Sequence, residues 1–559
     1  MADSTLVTLT IEGRQVAVAS GTSILEAAKN AGVLIPHYCY HPGLPVAGVC
    51  RMCLVEVEKA PKLAPACATS VADGQVVHVY SEKALEARKG VLEFLLINHP
   101  LDCPICDQAG ECELQDYTYQ EGRSQGRSLE SKRFNPVEDF GGDVVYVPNR
   151  CILCTRCVRF MDDVAQDPVL NVSERGDRAV IGKFEGQDLT HPWAGNVIDL
   201  CPVGALLSKD FLNKARAWEL DRTPSVCPNC TQGCNTILET RDNTVVRMRP
   251  RANLDVNQWF LCDEGRLDYR WLNRQDRVEA PLVRRGERLV GSDWEVAVRE
   301  AALLLGGRRV VVVASPMMSN ETLYLLSKVV ERTGGRGLFR VATGAEAPLP
   351  GVPDLALRAD RAANVRGAEM FGFQRSESPF DGLGSGDVLL LGDDRLAAAD
   401  EALLTRAGAI LVLASALPPA ARMAQVALPI TNMSEEEGTF TNLRGRVQRY
   451  LQAKSAPGMS RPGWWVLADL LTALGEPTSV FLASEIFAQV AAARPALADM
   501  SYESLGLRGR LMDGAATGAG AGLCRRRCSS CRWWTGKGPC REDRGSFSRW
   551  SRCWRALQS

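Results

Sequence analysis

Cysteine is the residue type on which the chemistry of this 559-residue chain turns. Fifteen of its twenty cysteines stand in four groups before residue 263. Cys39, Cys50, Cys53 and Cys67 form the first group. Cys103, Cys106 and Cys112 form the second, with His99 just upstream. Cys151, Cys154, Cys157 and Cys201 form the third, and Cys227, Cys230, Cys234 and Cys262 the fourth. Soft thiolates in fours select iron–sulfur clusters or zinc, so the chain reads first as a metal-bound electron carrier. No cysteine lies between 262 and 524, which confines this chemistry to the N-terminal half.

Each group carries its own signal. The first has ten, two and thirteen residues between successive thiols and suits a [2Fe–2S] centre, with Gly43, Gly48 and nearby prolines allowing a loop to wrap closely. A zinc ribbon pairs two short C-x2-C knuckles, and only one is present here. The second group, His-Pro-Leu-Asp-Cys-Pro-Ile-Cys-Asp-Gln-Ala-Gly-Glu-Cys from His99, lacks a fourth thiolate. Imidazole can replace thiolate on iron, so His99 is the candidate fourth ligand of a [4Fe–4S] centre. A structural histidine beside a helix end is the duller alternative. Cys151-x2-Cys154-x2-Cys157 is the bacterial ferredoxin triplet, and Cys201-Pro202 supplies the Cys-Pro partner of another [4Fe–4S] centre. The fourth group also fits [4Fe–4S], although a C-x2-C plus two distant thiols leaves zinc open there.

The elements that must position these groups follow from pattern. Leu6–Ile11 and Gln15–Val18 read as a hairpin, Thr22 and Ser23 as caps of a helix through Asn30, and Cys53–Glu58 and Val76–Tyr80 as strands. A helix from Glu82 to about Asn98 stops at His99-Pro100. Residues 99–145 read as loop-rich. From about 295 the pattern becomes α/β: Arg309–Ala314, Val388–Gly392 and Ile410–Ala414 are β-branched or leucine runs suited to a parallel, doubly wound sheet, with a helix from Ser319 through Glu331. Gly382-Leu-Gly384-Ser-Gly386 precedes a strand where a dinucleotide fingerprint follows one, so a turn is expected and NADH binding is not.

Composition narrows the classes further. A net charge of −1 gives no general case for nucleic acid. No run reaches the roughly 18 uncharged apolar residues of a membrane span. The start, Met-Ala-Asp-Ser-Thr, lacks a basic, apolar leader, which makes the cytosol the default compartment and metal the expected use of clustered cysteines.

The four groups in this order, with His99-Pro-Leu-Asp-Cys-Pro-Ile-Cys and Asn149-Arg-Cys-Ile-Leu-Cys-Thr-Arg-Cys-Val-Arg-Phe, resemble the large iron–sulfur subunit of bacterial NADH:quinone oxidoreductase, respiratory complex I. The resemblance covers about residues 5–510. It implies an α+β and α/β multidomain chain: a plant-ferredoxin-like β-grasp [2Fe–2S] domain (1–80), a helical [4Fe–4S] domain with one His and three Cys ligands (81–145), and a bacterial-ferredoxin-like [4Fe–4S] domain (146–220). An additional [4Fe–4S] domain (221–275) and a molybdopterin-oxidoreductase-like α/β region without catalytic metal (276–513) would follow.

The implied role is relay rather than substrate chemistry, with no catalytic residue on this chain. Electrons from a flavin/NADH subunit would pass through one [2Fe–2S] and three [4Fe–4S] clusters toward quinone. The implied partners are the flavin subunit, a small [2Fe–2S] subunit and quinone-proximal subunits, at the cytoplasmic face of the inner membrane without direct insertion. Arg51, Arg150, Arg156 and Arg159 would offset cluster charge or serve as ordinary surface residues. Residues 426–449 look like the Glu-Gly-Thr-Phe-x-Asn-x-x-Gly-Arg stretch of molybdopterin oxidoreductases, which supports fold and not activity.

A formate-dehydrogenase-like or hydrogenase-type catalytic subunit is the alternative. It would want a thiol or selenol on molybdenum, or further cysteines, between 263 and 523, and none is there; Asp263-Glu264-Gly265 follows Cys262 where such enzymes usually carry Lys. No molybdenum is expected, although serine or aspartate ligation stays open. A zinc-stapled scaffold would explain the thiols but not the ferredoxin triplet. From Leu523 the composition breaks, with five Cys, nine Arg and four Trp in 37 residues. Cys524, Cys528, Cys531 and Cys540 could make a zinc module, but out-of-frame sequence fits better and would leave the α/β region truncated.

Overall fold

The computed structural model describes residues 6–392, 400–417 and 422–513. The Cys/Arg/Trp-rich tail lies outside them. Leu6–Ile11 and Arg14–Ala19 pair as the expected hairpin, and Val76–His78 joins Leu6–Ile11 in parallel. Leu54–Val57 and Ala64–Pro65 complete a five-stranded sheet. The helix Ile24–Asn30 is capped by Ser23, whose side chain accepts from the Glu26 amide. It buries Ile24, Leu25, Ala27 and Ala28 against Leu9, Ile11, Val55 and Val77.

Glu82–Leu96 forms the next helix, capped by Ser81. The sequence pattern missed a second helix, Glu113–Glu121, inside the stretch expected to be loop. Its sequence, Glu-Leu-Gln-Asp-Tyr-Thr-Tyr-Gln-Glu, buries only Leu114 fully, so it shows little apolar periodicity. A tertiary contact holds it: Arg88, wholly buried in the first helix, meets Glu121 at 2.8 Å.

Glu138–Gly141, Val144–Tyr146 and Leu206–Ser208 form a three-stranded sheet, with a hairpin (Leu170–Ser173, Val180–Lys183) beside it. Asp221–Val226, Asn235–Arg241 and Thr244–Pro250 form another antiparallel sheet. The larger α/β sheet has eight strands. Six are parallel, ordered Val426–Pro429, Ala409–Ala414, Asp387–Leu391, Arg309–Ala314, Arg336–Phe339 and Gln374–Arg375. The sheet is therefore mixed rather than purely parallel. The hairpin Leu282–Arg285/Arg288–Gly291, N-terminal to the α/β pattern in sequence, turns at Gly286 (φ +62°) and adds antiparallel to Val426–Pro429.

Alternate residues of the central strands face two cores. Val310, Val312, Val388 and Leu390 pack toward the helices Trp294–Leu305, Asn320–Thr333 and Gly463–Ala473. Val311, Val313, Leu389 and Leu391 pack toward Phe380, Leu383 and Leu404. The glycines at 382–386 make a turn: the Gly384 amide donates to Asp387, which opens the next strand. No helix among the described residues is long and apolar enough to cross a membrane.

Candidate metal centres

All fifteen thiols are unpaired, and only Cys103 is exposed. In the first set, Cys39, Cys53 and Cys67 are buried and Cys50 is half-buried. The Cys39 amide reaches Cys50 Sγ at 3.5 Å. Hydrogen bonds from Cys50 and Cys67 favour Cys39 as the thiolate, while donation to Cys39 and burial push Cys50 and Cys67 up. Gly48 takes φ +65° in this loop, as a close wrap requires. Gly43 serves a different purpose. A Cβ there would stand 2.6 Å from the Trp259 indole, so its smallness accommodates a ring from the fourth-set segment.

In the second set, His99, Cys103 and Cys112 line one cavity of about 550 Å³. Cys106 lies against Gly204, where a Cβ would collide with its sulfur. Burial, then Arg150, depresses the His99 imidazole to about 4, so it is neutral near pH 7. The third set lines a single cavity with all four thiols, between Tyr146, Ile181 and Leu206. Leu153 and Thr155 adopt left-handed backbone (φ +52° and +58°) within the triplet loop, and the Leu153 amide reaches Cys151 Sγ at 3.4 Å.

In the fourth set, Cys227, Cys230 and Cys234 sit in the turn between the first two strands of their sheet, and the Cys227 amide donates to the Cys234 carbonyl at 2.7 Å. Cys262 caps the helix Asp263–Leu267. A Cβ on Gly265 would stand 3.2 Å from both Cys227 and Cys262 sulfurs, so glycine leaves room between them.

The donor set can be tested for fit to iron–sulfur groups. Burial pushes the Cys154 thiol up to about 12 and Cys151 and Cys112 up to about 11, so deprotonation needs a compensating cation. The His99 Nδ1 and the Tyr38 hydroxyl are buried without a hydrogen-bond partner, and the Tyr146 hydroxyl has only the Cys151 thiol. Tyr38 neighbours Cys50 and Cys112, and Tyr146 neighbours Cys151. Orphaned donors and acceptors are rare in native interiors, and these stand where ligand or sulfide atoms would meet them. Among the described residues no three His, Cys, Asp or Glu side chains gather as they would around one metal ion.

The third set touches both the first and the second, which also approach each other around Tyr38. Arg159 donates to the Cys39 and Cys154 carbonyls, and Arg156 to the Tyr40 and Leu200 carbonyls. On the other side, the Pro202 carbonyl accepts from the Glu113 amide at 3.0 Å, beside the Cys106–Gly204 contact. Of the basic residues singled out in the sequence, Arg150 and Arg156 are buried, Arg159 is half-buried and Arg51 is exposed. Arg150 pairs with Asp102 at 2.8 Å beside His99.

Sequence reasoning missed a second ionic group. Glu111, next to Cys112, accepts from Arg247 and Arg249 of the fourth-set sheet at 2.9–3.1 Å. Asp199, two residues before Cys201, accepts from Arg249 at 3.2 Å and pairs with Arg266 at 2.5 Å. Burial opposes ionisation of Asp199, but Arg266 and Arg249 outweigh it and hold the carboxyl below its usual range. The Glu-Gly-Thr-Phe stretch also has a local task. Asn442 donates to the Gln232 carbonyl, the Leu443 amide to Thr231 and Gln448 to Gly233, which braces the Cys230–Cys234 loop. No pattern in the sequence joins positions 210 residues apart; the Cys set and that stretch were each visible alone.

Five families match successive regions: 2Fe-2S iron-sulfur cluster binding domain (4–82), NADH-ubiquinone oxidoreductase-G iron-sulfur binding region (88–127), NADH-quinone oxidoreductase subunit 3 ferredoxin-like domain (141–207), molybdopterin oxidoreductase Fe4S4 domain (220–274) and molybdopterin oxidoreductase (383–473). The G-type subunit of the NADH-quinone oxidoreductase of Rickettsia bellii is 39% identical over 332 residues, 59% of this chain and 49% of its own length. The mitochondrial NADH-ubiquinone oxidoreductase 78 kDa subunit of Candida albicans is 42% identical over 339 residues (59% and 47%), and that of Neurospora crassa 40% over 392 (69% and 50%). The chain thus spans about half the length of these relatives. A solved chain of NAD+-reducing [NiFe]-hydrogenase aligns at 30% identity over 37% of this chain and 90% of its own, with a TM-score of 0.34. With [2Fe–2S] and [4Fe–4S] binding domains in this order, the chain is a relative of the large iron–sulfur subunit of NADH-quinone oxidoreductase.

Proposed function

We propose that this chain is an electron relay of an NADH:quinone oxidoreductase, taking electrons from a flavin/NADH subunit and delivering them toward quinone-proximal subunits at the cytoplasmic face of the membrane. Cys39, Cys50, Cys53 and Cys67 would hold a [2Fe–2S] cluster. His99 with Cys103, Cys106 and Cys112, then Cys151, Cys154, Cys157 and Cys201, and finally Cys227, Cys230, Cys234 and Cys262, would each hold a [4Fe–4S] cluster. We assign these sets to separate domains with the boundaries 1–80, 81–145, 146–220 and 221–275, followed by an α/β region at 276–513.

The observation that supports this reading is the adjacency of the sets. The third is bridged to the first by two arginines and touches the second through Gly204, and Tyr38 faces both the first and the second. A bound cluster supplies one-electron chemistry. The chain's own residues do the rest: thiols and His99 ligate, apolar walls such as Tyr146, Ile181 and Leu206 exclude water, and buried arginines offset negative charge. No thiol is available for molybdenum between 263 and 523, so the α/β region is read as a scaffold.

The test is metal and sulfide analysis of anaerobically purified chain, with electron paramagnetic resonance. About 14 irons per chain are expected for one two-iron and three four-iron clusters. Replacing Cys154 with Ser should remove one four-iron signal and leave the [2Fe–2S] signal. Zinc in place of iron, from cells competent in cluster assembly, would sink the reading, and stoichiometric molybdenum would revive the pterin enzyme.

A further inference from the structure

One guanidinium joins two ligand sets. Arg159 Nη2 donates to the Cys39 carbonyl at 2.6 Å and to the Cys154 carbonyl at 3.2 Å. Its Nη1 donates to the Pro45 carbonyl, and its Nε to Thr155 Oγ1 at 3.3 Å. Two of these acceptors belong to the first-set loop and two to the third-set loop. All arms of the planar fork are therefore used, which a lysine ammonium on a flexible stem cannot reproduce. Arg156, one turn earlier and buried, holds the same junction from the other side. It donates to the Tyr40 carbonyl at 2.8 Å and to the Leu200 carbonyl at 3.2 Å, and reaches Glu113 at 3.4 Å. Tyr40, Leu200 and Glu113 each adjoin a cysteine of a different set, namely Cys39, Cys201 and Cys112.

We propose that Arg159 is the positioning residue that sets the separation between the first and third centres and supplies the hydrogen-bonded bridge for electron exchange between them. The proposal rests on the ligand assignment above. From Cys39 Sγ the route runs through its own Cβ, Cα and carbonyl, across two hydrogen bonds on one nitrogen, and back through the carbonyl and Cα of Cys154 to its Sγ. With clusters bound, one electron would pass from a reduced centre on the first set to an oxidised centre on the third, and Arg159 would hold the carbonyls of both ligand loops in contact. No bond is made or broken and no proton moves. The permanent positive charge between two anionic centres also favours their reduced states.

The experiment uses the full chain with its clusters, comparing wild type, Arg159→Lys, Arg159→Gln and, as a control in the α/β region, exposed Arg288→Gln. Iron content and midpoint potentials are measured first. Photoreduction by one electron per chain, followed by freeze-quench paramagnetic resonance, then reads the exchange between the two-iron and four-iron signals. Arg159→Lys keeps iron and potentials but slows exchange about tenfold or more, equivalent to about 1.4 kcal/mol of barrier. Arg159→Gln slows it likewise and moves both potentials negative; Arg288→Gln changes neither. Unchanged exchange in the two Arg159 variants overturns the bridge, and a potential shift in the Gln variant alone reduces Arg159 to a charge. Loss of iron in Arg159→Lys also overturns it, because the role would then be assembly. Absence of iron from wild type would instead defeat the ligand assignment.

Discussion

The ligand-bearing half and the α/β half bury polar groups for different reasons. Up to about residue 275, the buried groups include thiols, an unpartnered imidazole and an unpartnered phenol, and the ligand loops between the sheets are held by arginine-to-carbonyl bonds. From 276 onward, Val310–Ala314, Val388–Leu391 and Ala409–Ala414 fill two sheet faces with aliphatic side chains. Two carboxyls buried there are satisfied from within the region, although Gln448 Oε1, Arg449 Nε and Arg494 Nε have no partner. Glu321 accepts from the Thr439 amide and hydroxyl and from Tyr502, and Glu436 from Thr431 and Tyr450. On the proposed reading the first half would complete its interior with bound clusters, whereas the second rests mainly on aliphatic packing. That difference teaches where stability comes from in each.

Iron removal gives the largest expected effect. Anaerobic chelation should abolish the cooperative melting of the N-terminal half while the α/β transition survives, because cluster binding is folding free energy on the order of 10 kcal/mol. Calorimetry of loaded and stripped chain checks this, and a single shared transition insensitive to iron would break the comparison. Next, Leu390→Ala in the sheet, with Leu390 1% exposed, should cost about 2–5 kcal/mol by transfer and cavity terms. Iron per chain should stay unchanged, as read by denaturant titration and iron assay.

The buried carboxyls predict a smaller, signed effect. Burial raises Glu321 to about 7 and Glu436 to about 8. Their folded values lie above the unfolded range, so the native state keeps protons that the unfolded chain releases. Their stabilising contribution is full below the unfolded value, near pH 4.5, and is lost as pH rises toward 7–8, at about 1.4 kcal/mol per unit and group. Glu436→Gln should flatten the decline of the α/β melting temperature across that window. An unchanged slope would show that the two carboxyls do not hold these protons. Smallest of all, Ser81→Ala removes the cap that accepts from the Ala84 amide. It should cost about 1 kcal/mol, lowering only the N-terminal transition.

Much of the fold was legible because local signals agree with the tertiary answer there. Arg309–Ala314 matched its strand end to end, Ser23 caps the helix it was expected to cap, and Ser319, expected to open its helix, caps it. Glu113–Glu121 was not legible, since its single fully buried residue leaves no stripe and the Arg88–Glu121 pair that holds it spans two helices. The hairpin at 282–291 was missed because its antiparallel partner, Val426–Pro429, lies far along the chain.

Sequence alone determined which residues could ligate. Thiol spacing and the missing fourth thiolate beside His99 are local facts, and the chemistry of soft ligands acts on them directly. Only tertiary structure decided that the first three sets adjoin one another. That adjacency depends on Arg156 and Arg159 reaching carbonyls more than 40 residues away, on Gly204 admitting Cys106 and on Tyr38 facing Cys50 and Cys112. Such contacts follow from how segments distant in sequence pack together, and no spacing along the chain encodes them.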